Sequence, residues 1–275
     1  MLDLLKTDLK RSLKDKLFLV LAIIAGAFAL VTPLLYKFIF LILQVDTGAM
    51  QELEMLGLQI NAKAMFFSSF SLGNNFGLIL PIFVAIILCK DFSHGTIRNK
   101  IICGKSRGSI FFSLFTTCTT LLWGFILAHA VLTLLISLVF FNYQATDFTA
   151  ADFGYLMASV GLELLVFLLV SALLTFFIVY MKNAGLAIVM YFVVSFAMII
   201  IGSITQTAFM FADPEATSYT VLEFLNTANA FTTTAIGMGT AYEARDILYL
   251  VLPNAVAIIL LTVLGYVGFG KKDIK

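Results

Sequence analysis

Six runs of apolar residues, each long enough to cross a bilayer as a helix, leave this chain very few folds. A helix needs about 20 predominantly apolar residues to cross a hydrocarbon core roughly 30 Å thick. Runs of that kind occupy about residues 17–43, 72–89, 109–141, 154–181, 186–204 and 247–269. Composition agrees: 61% of residues are hydrophobic, 12% are charged and the mean hydropathy is +1.04. A soluble domain carries about 25% charged residues. The excess apolar surface has lipid as its solvent, so residues 1–275 are expected to form one all-α integral membrane domain with six transmembrane helices.

Between the runs the chain changes character. Residues 1–16 place Leu2, Leu5, Leu9 and Leu13 at helical spacing, with Lys6, Lys10, Arg11 and Lys14 on the other faces. That pattern predicts a basic amphipathic helix at the membrane interface, or a positive anchor for the first span. Pro33 is expected to kink the first span, and Lys37 to reach back to the interface. Residues 44–70 form a more polar segment with Asp46, Glu52 and Glu54. Lys182 to Gly185 reads as a tiny turn, and residues 205–246 as neither a span nor a polar domain.

Charge sets the orientation. The N-terminal segment, the loop at 90–107, Lys182 and the tail together hold fourteen of the seventeen lysines and arginines. Lys37, Lys63 and Arg245 fall on the other side. The positive-inside rule therefore predicts that both termini are cytoplasmic, in a multi-pass protein of the plasma membrane. The outer loops are rich in acid, which either attracts a cationic solute or merely solvates the loops. The first apolar run is too long for the core of a cleavable signal peptide. With a net charge of +1 the chain gives no reason to expect a nucleic-acid partner.

No catalytic set emerges. Cys89, Cys103 and Cys118 form no CxxC pair, and the two histidines, His94 and His129, form no metal-binding pattern. The chain is therefore not expected to be an enzyme. His129, inside the third span, reads as a residue that hydrogen-bonds between helices before it reads as a ligand. Glu163 is a lone carboxylate in the fourth span, costly there and so a candidate pathway residue beside His129. Gly104-Lys105-Ser106 resembles the end of a phosphate-binding loop. The glycine needed five residues earlier is Asn99, so that motif does not bind ATP here.

The loop between the second and third spans has an order that charge alone does not require. Asp91 and Phe92 are followed by Gly95-Thr96-Ile97-Arg98, then by Lys105-Ser106-Arg107 at the edge of the next span. This resembles the inner loop of ABC-2 type permeases, the membrane subunits of ATP-binding-cassette exporters, in some cases exporters of antimicrobial peptides. The resemblance extends over the whole chain: an N-terminal interface helix, six spans, and a semi-apolar stretch between spans five and six. In that family the last stretch is a short re-entrant segment at the outer gate. Its counterpart here is Tyr219 to Phe231, with Phe224, Asn226 and Phe231 as candidate gate residues, followed by Gly237 and Gly239. The chain departs from the family's larger members in having no extracellular domain and no fused nucleotide-binding domain.

What the resemblance implies is a permease that exports a hydrophobic or amphipathic solute, such as a peptide toxin, an antimicrobial peptide or a drug. Asp91, Phe92, Gly95, Thr96, Ile97, Arg98, Lys105, Ser106 and Arg107 would form the loop that couples to a partner. The implied partners are a dimer of ATPase subunits, which would hold the ATP and magnesium, and a second permease chain, identical or similar. No cofactor is expected in this chain itself. The rival readings are a secondary transporter driven by an ion gradient, and a non-transporting immunity or sensor protein in the membrane.

Overall fold

Hydrocarbon offers no hydrogen bonds, so a chain that crosses it must pair its own amides and carbonyls, and a helix does this within one segment. A computed structural model describes residues 2–43, 61–73, 75–143, 149–213, 216–232 and 243–271, and these form helices joined by turns, with no strand among them. In chain order α1 is Leu2–Leu13, α2 Lys16–Leu43, α3 Ala62–Ser68, α4 Asn75–Ser93 and α5 Thr96–Ile102. There follow α6 Arg107–Phe140, α7 Ala150–Met181, α8 Ala184–Met210, α9 Thr217–Ala228 and α10 Ala244–Lys271. Six of them, α2, α4, α6, α7, α8 and α10, are long and apolar enough to cross a bilayer. The chain is a multi-pass membrane protein.

The helices outrun the apolar runs because caps and turns, rather than hydrophobicity, end them. Thr149 accepts from the Asp152 amide while Asp152 accepts from the Thr149 amide, so α7 begins four residues before the expected Gly154. Beyond Ile204, α8 continues to Met210. Ser203, Thr205 and Thr207 donate to the carbonyls of Ile199, Gly202 and Ser203, which hides their polarity against the helix. The turn expected at 182–185 is tighter still. Lys182 closes α7 in the left-handed region at φ 52° and Asn183 caps α8, its side chain accepting from the Leu186 amide. At 34 residues α6 is about 51 Å long, so it tilts or reaches beyond the hydrocarbon.

The segment at 44–70 also differs from its expected polar character. Residues 44–60 lie outside the described residues, but 61–70 turn inward. Asn61 caps α3, and Met65, Phe66, Phe67 and Phe70 are buried beside α6. The first amides of α3 donate to the carbonyls of Asn142 and Tyr143 just past the end of α6, which fixes α3 at that end.

α4 and α7 are the most enclosed spans, whereas α2, α8 and α10 keep broad apolar faces outward. α6 is the shared wall, touching α1, α2, α3, α4, α5, α7 and α10. One close approach sets how α10 lies on α7. A Cβ added to Gly268 would collide with the hydroxyl end of the Tyr180 ring, so a larger residue there requires Tyr180 to move aside. Gly268→Leu is expected to lower unfolding stability in detergent by about 1–3 kcal/mol. Combined with Tyr180→Gly it should cost less than the two changes added separately, a coupling that thermal unfolding of the four variants would read.

Candidate functional site

At the opposite end from α3 the chain makes a sharp reversal. α4 ends at Ser93, and Gly95 takes the left-handed region at φ +66°, where a side chain would be strained. α5 then runs for seven residues and stops at a second glycine in the same region, Gly104 at φ +78°. The Lys105 amide reaches back to the Lys100 carbonyl and the Gly104 amide to that of Ile101. These two bonds make a Schellman cap, which is the structural meaning of the glycine that resembled a phosphate loop. Ser106 at once caps α6, its hydroxyl accepting from the Ser109 amide at 3.2 Å. Arg107 donates to the Gly270 carbonyl at 2.7 Å, so the start of α6 holds the last turn of α10.

Beneath this reversal lies a buried ionic junction. Asp8 of α1 and Asp91 of α4 have side chains only 4% and 3% exposed. Lys100 of α5 reaches between them, 2.7 Å from Asp8 and 3.4 Å from Asp91. Arg11 of α1 pairs with Asp91 and stands 3.7 Å from Asp8. Ser113 of α6 donates to the second Asp8 oxygen at 2.7 Å. Two carboxylates and two cations from three helices thus neutralise one another, with α6 contributing a hydroxyl. One turn away Lys90 holds Asp15 at 2.6 Å, and Asp15 also accepts from the Leu17 amide at the start of α2.

The residues read from the sequence as a coupling loop divide between two sides of this reversal. Asp91 faces the junction, Ile97 is 1% exposed and pins α5 to the core, and Phe92 packs against the same core. Gly95 and Thr96 shape the turn, while Ser106 and Arg107 fasten the next helix. Of these residues Arg98, Lys105 and Ser106 are exposed, Ser106 while capping α6, and Ser93, His94, Asn99, Ile102, Cys103 and Gly104 are exposed beside them. Sequence reasoning missed Asp8, Arg11, Lys100 and Ser113 as a group. One signal was available: Leu4, Asp8 and Ser12 recur every fourth residue, and that polar row, not the leucine row, is the buried face of α1.

The other candidates lie elsewhere. His129 is buried, its Nδ1 stands 3.0 Å from the Ala25 carbonyl oxygen of α2, and its ring packs tilted against Phe76 with centroids 4.7 Å apart. It acts as a tie between α2, α4 and α6. Glu163 is half-buried in α7 and has no hydrogen bond or ion pair among the described residues. Nothing bonds it to His129. At the far end Phe224 packs edge-on against Tyr249 at 5.2 Å. Asn226 lies half-buried in α9 and the Phe231 amide donates to Asn229. Asn229 donates to the Met198 carbonyl of α8, and Asn254 of α10 to the Ala228 carbonyl, so α9 is strapped between its neighbours. Gly237 and Gly239 lie outside the described residues. No group of three or more metal-binding side chains occurs among the described residues.

Residues 18–275 match a family described as a protein of unknown function, DUF2705. The chain belongs to that family. No curated protein and no solved structure matches it. The match to DUF2705 begins within α2, so α1 with Asp8 and Arg11 precedes the matched region, while Asp91, Lys100 and Ser113 lie inside it.

Two consequences of the junction are measurable. Lys100→Met strips two buried carboxylates of their shared cation and is expected to cost about 3–5 kcal/mol. Lys100→Met with Asp8→Asn should be less damaging than Lys100→Met alone, by chemical or thermal unfolding in detergent. The Asp15 latch has a pH signature. Burial raises its carboxyl, but hydrogen bonds from Lys90 and the Leu17 amide, with the charges of Lys90 and Arg11, outweigh that and hold it below the ordinary 3.8. A depressed folded-state value means the stabilisation is complete above pH 3.8 and is lost as pH falls through that lower value. The stability gap between wild type and Asp15→Asn should therefore be constant from neutral pH down to that range and close below it.

Proposed function

We propose that this protein is the membrane-spanning subunit of an ABC-type exporter, with α5 as the element that a separate ATPase engages. The observation that carries the reading is the construction of the α4–α5–α6 reversal. Its loop residues are spent on fixing α5 rigidly, by Gly95, the buried Ile97, the Schellman cap and the Lys100 junction, while Arg98 and Lys105 project outward. A loop that served only to set topology would need positive charge and no such anchoring. Force applied to α5 would pass through Lys100 and Asp91 to α4, and through Ser106 and Arg107 to α6 and α10.

On this reading the α1/α5 end is cytoplasmic, which the distribution of lysine and arginine supports, and the protein resides in the plasma membrane. α1 lies along the inner interface, and α9 with its asparagine straps forms a re-entrant segment near the outer mouth. ATP and magnesium belong to the ATPase dimer, and a second permease chain completes the pathway. The cargo is a hydrophobic or amphipathic solute, a peptide or a drug. The lone Glu163 in a span favours one alternative, a transporter driven by an ion gradient, since unpaired carboxylates in hydrocarbon commonly serve ion movement.

Cys103 is the one exposed cysteine, Cys89 and Cys118 being buried, and it sits at the end of α5. A membrane-impermeant maleimide is expected to label it in inverted vesicles and not in intact cells; the reverse pattern would place α5 outside. A thiol-to-amine cross-linker at Cys103 should capture a soluble ATPase subunit in native membranes. Arg98→Glu with Lys105→Glu should cut that capture by at least about tenfold, because like charges then face one another across the contact. Undiminished capture would show that this face is not where the ATPase docks.

A further inference from the structure

The outward face of α1 carries a feature that neither the junction nor the coupling reading uses. With Leu4, Asp8 and Ser12 turned into the protein, the 100° step of the helix assigns the rest of its circumference. Leu5, Leu9 and Leu13 come next around the helix, the first two half-buried and Leu13 55% exposed. Lys6 and Lys10 follow beyond them, and Lys14 stands in the turn directly after α1, all three exposed and four residues apart. No ion pair engages any of the three among the described residues. Asp3 is the one carboxylate on that side, at the start of the helix, which leaves the row with an excess of positive charge.

α1 is also held at the right depth. It ends at Leu13, α2 begins at Lys16, and Asp15 between them is pinned to Lys90 at the end of α4. The helix therefore lies where a span meets water. Its half-buried leucine edge, with Leu13 exposed, is beside the acyl region and its lysines are beside the headgroups. We propose that Lys6, Lys10 and Lys14 form a binding site for anionic phospholipid headgroups. The charge complementarity is direct, because an anionic phospholipid keeps a net negative charge, uncancelled by a headgroup cation, at the height that snorkelling lysines reach. The consequence extends past α1. Asp8 and Arg11 on its buried side pair with Lys100 and Asp91, so lipid held on one face steadies the helix that clamps α5 on the other. This inference stands on the membrane-spanning architecture and is independent of any transport reading.

The test uses the purified full chain in nanodiscs of phosphatidylcholine alone, or with an equal part of phosphatidylglycerol. Two readouts are taken: phosphatidylglycerol retained after mild release, by native mass spectrometry, and amide exchange over α1. Retention and α1 protection should both rise with phosphatidylglycerol and fall again at high salt. Lys6→Gln, Lys10→Gln and Lys14→Gln together should abolish the rise, each removal lowering retention about fivefold. Changing the same three residues to Arg should preserve it, which separates charge from any effect on folding. Equal behaviour in the two lipids, undiminished phosphatidylglycerol binding by the glutamine variant, or loss of the response in the arginine variant would each overturn the proposal.

Discussion

Water is missing from the middle of a bilayer, so a polar group that enters without a partner is costly, and backbone groups above all must bring theirs with them. That constraint accounts for far more of this molecule than the hydrophobic effect, which has little to say about how apolar helices choose one another in lipid. The backbone meets it by being helical. Many serines and threonines meet it by turning back on their own helices, as at Thr120, Thr133 and Ser203, or across an interface, as where Thr119 and Ser171 meet at 2.8 Å between α6 and α7, whereas Thr117 and Ser159 are buried with no such bond among the described residues. His129 meets it with a carbonyl of α2, and Trp123 with the Leu164 carbonyl of α7. Each satisfied group is also a fastening, so the same requirement that shapes single helices selects their neighbours.

The two ends of the bundle are closed by different chemistry. At the α3/α9 end neutral amides do the work: Asn229 and Asn254 bind carbonyls of adjoining helices, and Gly202 leaves the space in which Asn229 and Thr232 sit. Among the described residues Arg245 adds charge there, pairing with the half-buried Glu223 and standing 4.0 Å from the exposed Glu243, and such water-facing pairs contribute little. At the α1/α5 end full charges meet in the dark. A junction of two acids and two bases is poor as a source of net stability, since desolvation offsets most of the attraction, but it is intolerant of losing a member. It therefore enforces one register among α1, α4, α5 and α6. A rigid register at one end and a strap of weaker neutral bonds at the other are what the proposed coupling through α5 would need.

Much of this was legible in the residues. The six spans follow from hydrophobic run length, and the position of the α4–α6 reversal follows from its glycines. The ends of α7 and α8 were misjudged because a threonine–aspartate capping box and back-bonded threonines extend a helix without adding apolar residues. α3 was hidden because the polar residues before it gave the whole segment a polar average, while Met65, Phe66, Phe67 and Phe70 turned inward. The candidate site was half legible. Asp91 and Ile97 stood out by their place in a motif, whereas Asp8 and Lys100 are ninety-two residues apart and no local pattern announces a pair at that separation. The leucine spacing of α1 even pointed away from Asp8, because a buried carboxylate is legible only when its cation is known to be near.

The central claim is that this protein works as one subunit of an ATP-driven exporter. Its most direct test is gentle solubilisation of native membranes, affinity purification of the chain, and an ATPase assay on what elutes with it. The account predicts a stoichiometric soluble subunit whose ATP hydrolysis is inhibited by vanadate. A chain that elutes alone, with transport that collapses when an ion gradient is removed, would contradict it.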